Sequence, residues 1–256
     1  MEHWRVDPPE LPAGRGMRSQ RPAGGASLEG AELDALRRLH DQFARRWSQR
    51  LTGEIHEPVR VDLQSLQTGT YAELALGVPV PTCLALLQAV PLGTRVVLEF
   101  GPSILYPLFD WMLGGGPEPS PPPARPMTEI ETVLAERLIG SWCEEYAEVW
   151  RHVLSLELRV ERFEHNPLRV RPLPPSAPLM LAIWDVEVPG ATGSVTCGIP
   201  WSAMLPMSHK LTSGPGHAVG GPSSGMAPEI PDWHVGHVRE SEAELPAVLR
   251  QRDILP

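Results

Sequence analysis

The first ordered segment of the chain has apolar side chains at helical spacing. They lie three or four positions apart and predict a helix over residues 32–51 with one buried face: Leu36, Leu39, Phe43, Trp47 and Leu51. Three strand-like segments follow, and the first alternates apolar and polar residues: residues 59–64, 83–90 and 94–100. A second helix is predicted over residues 101–113, where Gly114 ends it and Pro107 should kink it or shorten it from its start.

A second segment repeats this order of elements. Thr128 and Glu131 form a capping box for a helix that runs to Trp150. The predicted apolar stripe of this helix is Ile130, Val133, Leu134, Leu138, Trp142, Tyr146 and Val149. Strands are predicted at 156–163, 179–188 and 193–199, and a helix starts at Pro200-Trp201-Ser202. The duplication predicts an α/β domain with pseudo-two-fold symmetry, in which one continuous mixed sheet is flanked by helices.

Proline and glycine, 30 and 23 of the 256 residues, mark the segments outside these two blocks. Residues 1–31 are rich in Pro, Gly and Arg and lack periodicity, so we expect a disordered tail. Residues 114–127 should form a stiff Pro-rich linker within a domain over residues 32–207. Residues 208–256 should form a linker and the truncated start of a further domain, mostly disordered on its own.

The charge and cysteine content narrow the functional class. The net charge of −9 disfavours nucleic acid and anionic lipid as partners. The three cysteines, Cys83, Cys143 and Cys197, are far apart in sequence, as expected for reduced thiols in a cytoplasmic protein. There is no signal-peptide pattern and no apolar run of about 20 residues, so we expect no transmembrane segment.

Motifs that could carry chemistry are weak. A GxSxG pattern at residues 221–225 has Pro/Gly-rich flanks instead of the strand and helix that a nucleophile elbow needs. His234 and His237 could ligate zinc, but no convincing further ligands accompany them. We therefore expect no catalytic residue, no metal and no cofactor, which favours a binding or scaffold protein.

Five segments in order carry a resemblance to a known family: residues 36–51, 78–115, 127–150, 164–167 and 193–206. They resemble the middle domain of the FliM family of flagellar motor switch proteins, including its Pro-x-Pro-Thr turn, its Thr-x-x-Glu helix start and its Asn-Pro element. The resemblance covers roughly residues 32–207. It implies the fold of the CheC-like superfamily.

The resemblance also implies a role. A FliM-like protein would be a non-enzymatic component of the cytoplasmic C-ring, peripheral at the inner membrane in the flagellar basal body. It would bind FliG and neighbouring FliM copies and would link the chemotaxis signal to the direction of flagellar rotation. The family's FliG-binding motif, Gly-Gly-x-Gly after the central helix, corresponds here to Gly114, Gly115 and Gly116, with Asp110 preceding it. The fourth position is Pro117, and these glycines could instead only terminate a helix.

Two further partners depend on segments outside this motif. Residues 28–36 (LEGAELDAL) are similar to the family's peptide for phosphorylated CheY, which would make Glu32, Leu33, Asp34 and Leu36 a weak CheY-binding segment. That segment already belongs to the first predicted helix. Residues 243–256 resemble only the opening of the family's C-terminal SpoA-like domain, so FliN would bind only if that domain were complete.

Two alternatives remain open at this stage. A CheC-like phospho-CheY phosphatase would need Glu-x-x-Asn on two equivalent helices, whereas Glu136 is followed by Ile139 and the single asparagine, Asn166, follows a strand. A scaffold of a type III secretion sorting platform would share the missing C-terminal domain more than the middle domain.

Overall fold

The computed structural model of this protein describes residues 30–170 and 172–212, which form the helices and strands that the pattern predicts, with one addition. The elements in chain order are α1 (Gly30–Ile55), β1 (Arg60–Thr70), α2 (Tyr71–Gly77), β2 (Cys83–Val90), β3 (Thr94–Phe100), α3 (Pro102–Met112), α4 (Glu129–Trp150), β4 (Glu157–Glu164), β5 (Pro178–Val188), β6 (Ala191–Pro200) and α5 (Trp201–Thr212). The linker over residues 114–127 contains neither helix nor strand.

Three local predictions need correction. The addition is α2, which opens on a capping box between Thr70 and Glu73, the same signal that starts α4. Pro107 lies inside α3, which still begins at Pro102, so of its two predicted effects the shortening of the helix does not occur. Ile130 and Val133 do not belong to a buried stripe. They are 72% and 63% exposed, since the buried face of α4 begins only at Ala135.

All six strands belong to one sheet, in the order β1-β5-β6-β3-β2-β4. The continuous sheet is confirmed, but every pairing in it is antiparallel, so the expectation of a mixed sheet is wrong. The reason is the connectivity. Each half contributes a hairpin, β2–β3 or β5–β6. The remaining strand of each half, β1 or β4, crosses over to pair with the middle strand of the other half, β5 or β2.

The pseudo-two-fold relation of the halves is confirmed in detail by residue positions. One sequence offset relates the strand starts Arg60 and Glu157, the starts Thr94 and Ala191, and the hairpin glycines Gly93 and Gly190, which both have positive φ. The same offset relates the register shifts at Gln64 of β1 and Glu161 of β4. Exchanging the equivalent strands of the two halves, β1 with β4, β2 with β5 and β3 with β6, gives the same strand order counted from the opposite edge of the sheet. The two halves therefore interlock and form one core.

The main core lies between the sheet and the layer formed by α1, α3, α4 and α5. Its centre is a group of buried rings on α1, α4 and β5: Phe43, Trp47, Trp142, Tyr146 and Trp184. A smaller core lies on the other face of the sheet, where α2 packs with the segment after β4. There the hydroxyl of Tyr71 donates to the carbonyls of Pro167 and Val170 at 2.9 and 3.1 Å.

Candidate functional site

The predicted docking glycines follow α3, and the first two of them end this helix. Gly114 has φ +82°, the left-handed conformation that glycine adopts most readily. Its N–H donates to the carbonyl of Trp111 at 3.1 Å, and the N–H of Gly115 donates to that of Asp110 at 2.7 Å. These two bonds make a Schellman motif. The reading of the glycines as a helix stop is therefore correct for this pair.

The three glycines differ in how the fold constrains them. A Cβ at Gly115 would lie 2.7 Å from the carbonyl oxygen of Asp110, so any side chain there disturbs the helix end. At Gly116 a Cβ would meet nothing within 4 Å. Gly116 is consequently the position of this motif where a substitution probes a surface contact and leaves the fold intact.

Replacing Gly114 with alanine should destabilise the protein by about 1 kcal/mol, because a Cβ is strained in the left-handed region. Gly116→Ala is the matched control and should stay within about 0.5 kcal/mol of the parent, as surface substitutions do. Urea unfolding followed by tryptophan fluorescence measures both. Equal losses in the two variants would contradict the assigned helix stop.

The end of α3 and the loop that follows it contact the hairpin turn between β5 and β6. The indole Nε1 of Trp111 donates to the carbonyl of Pro189 at 3.3 Å. Gly190, with φ +86°, lies so close to the carbonyl of Pro117 that a Cβ there would overlap it. The four predicted site positions, Asp110 and Gly114 to Gly116, thus lie together on one end of the domain, next to a turn from the second half.

Sequence reasoning missed one feature of this end. Leu113 is the residue before the glycines, and 68% of it is exposed although it is a large apolar side chain. Asp110 is half-buried, while Glu118, the residue after Pro117, is exposed. Leu113 is the C-cap residue of α3 and follows the last buried residue of that helix, Phe109, so its exposure depends on how α3 packs and had no signal in the sequence.

The predicted CheY-binding residues lie in the first two turns of α1. Leu36 is fully buried in the main core and Glu32 is 5% exposed, whereas Asp34 is exposed. The four side chains, including Leu33, therefore do not share one exposed face. A CheY site at this segment stays a prediction, and the packing of Leu36 and Glu32 argues against it.

The described residues contain none of the catalytic arrangements considered from the sequence. Glu136 is exposed on α4, and Asn166 lies in the turn after β4, where its side-chain oxygen accepts from the N–H of Leu168 at 3.0 Å. Cys83, Cys143 and Cys197 are free and buried, and burial raises the pKa of each thiol. No cluster of three metal-ligating side chains occurs within the described ranges. The GxSxG pattern and His234 and His237 lie outside those ranges.

No helix in the described part of the chain combines the length and apolar character needed to cross a bilayer.

Comparison with known proteins identifies relatives of this fold. The sequence profile described as flagellar motor switch protein FliM matches residues 30–215. FliM of Treponema pallidum is 29% identical over 182 residues, which cover 71% of this chain and 53% of that protein. FliM of Bacillus subtilis is 25% identical over 181 residues, covering 71% of this chain and 54% of the relative. The chain thus spans about half the length of these relatives.

Solved structures agree with this result at the level of the fold. A chain in the FliG–FliM complex from H. pylori superposes with a TM-score of 0.68 at 22% identity, covering 71% of this chain and all (100%) of that chain. The FliM middle domain from H. pylori gives 0.65 at 22% identity, covering 72% and 99%. Thermotoga maritima FliY gives 0.64 at 12% identity, covering 73% and 98%.

Proposed function

Because this chain belongs to the FliM family of flagellar motor switch proteins, we propose that it is a non-enzymatic adaptor of the switch. It binds FliG through the end of the domain that carries Gly114, Gly115, Gly116 and Asp110. It links the chemotaxis signal to the direction of rotation from a cytoplasmic ring that is peripheral to the inner membrane. Differential contacts in two states of that ring would couple the signal to rotation.

The observation that carries the proposal is the rigid, accessible end of α3. A Schellman motif and the β5–β6 turn hold the loop, while Leu113 and Gly116, three positions apart in sequence, are both exposed. A pre-organised surface loses little entropy on binding. The FliM chain with the same fold from H. pylori was solved in a complex with FliG, which supports FliG as the partner.

The proposal is tested with Gly116→Asp, because this position tolerates a side chain in the unbound protein. The added carboxylate would have to be buried against the partner, so binding to the middle domain of FliG should weaken at least about tenfold. Isothermal titration calorimetry measures the affinity, and urea unfolding should show no loss of stability.

Gly53→Asp is the charge-matched control, since a Cβ at this exposed position of α1 also meets nothing within 4 Å. It should bind FliG like the parent chain. Unchanged binding by Gly116→Asp, or no binding by the parent, would refute FliG docking at this loop.

The other partners of this proposed role are inferred from family membership alone. Neighbouring copies of the chain pack side by side in a ring, and FliN binds where a complete C-terminal domain is present. Phosphorylated CheY would act through the weak segment Glu32, Leu33, Asp34 and Leu36. Neither alternative function, phospho-CheY phosphatase or secretion scaffold, has a specific observation in its favour among the described residues.

A further inference from the structure

We propose that the docking surface is composite, built from both halves of the duplicated domain. Its first part is the loop Leu113–Pro117 after α3, and its second part is the β5–β6 turn at Pro189 and Gly190. The inference rests on the proposed function and deepens it, because it names a second surface element, the two contacts that hold this element against the loop, and the chemistry of the partner.

The first link between the two parts is Trp111. Its ring is half-buried on α3, and its indole N–H donates to the carbonyl of Pro189 at 3.3 Å. The carbonyls of Asp110 and Trp111 at the end of α3 already accept the two hydrogen bonds of the Schellman motif. Trp111 therefore connects the helix end to the turn through a side chain that contributes nothing to the helix stop itself.

The second link is the contact between Pro117 and Gly190. The carbonyl of Pro117 occupies the space that a Cβ at Gly190 would need. Proline also fixes its own φ, so the loop has one fewer degree of freedom at this contact. Pro117, which stands where the family motif has glycine, is thus accommodated by the turn and stiffens the loop.

The equivalent turn of the other half shows that a hairpin of this conformation forms without a contact like that between Pro117 and Gly190. Gly93 occupies the matching position between β2 and β3 and also has positive φ, at +64°. A Cβ at Gly93 would meet nothing within 4 Å. The two turns share their backbone conformation and differ in the loop that one of them supports.

The chemistry of the surface indicates what it binds. Leu113 is its large exposed apolar side chain, and the acidic residues Asp110 and Glu118 lie three and five positions from it in the chain. The surface therefore fits a partner with an apolar depression for Leu113 and lysine or arginine at its rim.

The experiment compares Gly190→Ala with Gly93→Ala. Both substitutions place an alanine in the left-handed region, at φ +86° and +64°, but only the first displaces Pro117. Gly190→Ala should weaken binding of the FliG middle domain by about tenfold or more, and Gly93→Ala by less than about twofold. Thermal unfolding should show that both variants remain folded at the temperature of the titration.

Two further variants keep the inference falsifiable if Gly190→Ala fails to fold. Trp111→Phe keeps a ring but removes the indole donor, and Leu113→Ser removes the apolar centre, so each should weaken binding severalfold. Binding should also weaken as salt rises, because acidic groups at the rim attract basic groups of the partner.

The possible outcomes separate this inference from the proposed function. Parent-like binding by Gly190→Ala, Trp111→Phe and Leu113→Ser, together with loss of binding in Gly116→Asp, would overturn the composite surface and leave FliG docking intact. Absence of binding by the parent chain would overturn both.

Discussion

Removing the indole of Trp184 is expected to lower the free energy of unfolding by about 3–5 kcal/mol, the largest single effect that this structure predicts. Trp184 lies on β5, is 0% exposed, and faces rings of both long helices. Its ring centroid is 5.0 Å from that of Phe43 on α1 and 6.1 Å from that of Trp142 on α4. Alanine would leave a cavity between the sheet and both helices that the interlocked halves cannot readily close.

Chemical denaturation of Trp184→Ala measures this loss, with the midpoint compared at a constant slope. Trp184→Phe is the control, because it keeps a ring in the cluster and forfeits only the smaller part of the volume and the bond from Nε1 to the carbonyl of His40, at 3.5 Å. It should lose clearly less than Trp184→Ala. A loss below about 1 kcal/mol in the alanine variant would mean that this cluster is not the centre of the core.

The second large effect is a pH dependence of stability that arises from two buried groups with opposite signs. His40 lies on α1 in contact with the rings of Tyr146 and Trp184, and Glu99 lies on β3, directly across from Thr196 of β6. The sequence offset that relates the strands of the two halves also relates Glu99 to Thr196, so this carboxyl lies at the pseudo-two-fold axis. Each group has an altered pKa because it is removed from water.

His40 stabilises the fold only when it is neutral. Burial lowers its pKa from 6.5 to about 4, while its ring nitrogens lie 2.8 Å from the carbonyl of Leu36 and 3.1 Å from the hydroxyl of Tyr146. The unfolded chain therefore binds a proton at a higher pH than the native one. The contribution of His40 is fully present above pH 6.5 and is lost as the pH falls towards 4, a loss of about 3 kcal/mol.

Glu99 has the opposite effect. Burial raises its pKa from 4.5 to about 7, although the hydroxyl of Thr82 donates to its carboxyl oxygen at 2.6 Å. The native state keeps this proton to a higher pH than the unfolded chain does. The stability associated with protonated Glu99 is present below pH 4.5 and falls by about 3 kcal/mol as the pH rises through 7.

The two contributions should largely cancel in the parent chain between about pH 4.5 and 6.5. Glu99→Gln removes one of them, so its stability relative to the parent should rise by about 3 kcal/mol from pH 4.5 to pH 7.5. His40→Gln should show the reverse trend relative to the parent over pH 4 to 7. Urea unfolding across this range measures both differences, and a pH-independent difference for either variant would refute its assignment.

Patterns confined to one helix or one hairpin were readable from the sequence. The capping box at Thr128 and Glu131, the helix stop at Gly114 and the bounds of β2 and β3 match the structure because neighbouring residues alone satisfy them. The capping box at Thr70 and Glu73 is the same kind of local signal, and it starts α2, a helix of only two turns that the apolar pattern did not predict. The repeat of these local signals also predicted the duplication.

The candidate site was predictable only in part. Asp110 and the three glycines were placed by resemblance to a family motif, and their assembly at one end of the domain follows from their closeness in sequence. Leu113 and the turn at Gly190 were not predictable, because exposure and the approach of Pro117 depend on how α3 lies against a hairpin from the other half.

The sequence by itself therefore determined the helices and strands other than α2, their duplication and the glycines that end α3. The tertiary structure decided the strand order, the antiparallel pairing throughout, the exposure of Ile130 and Val133, and the contact of the loop with the second half. The physical reason is range. Caps, turns and periodicity act between residues a few positions apart, whereas burial and strand pairing are set by contacts between segments far apart in the chain.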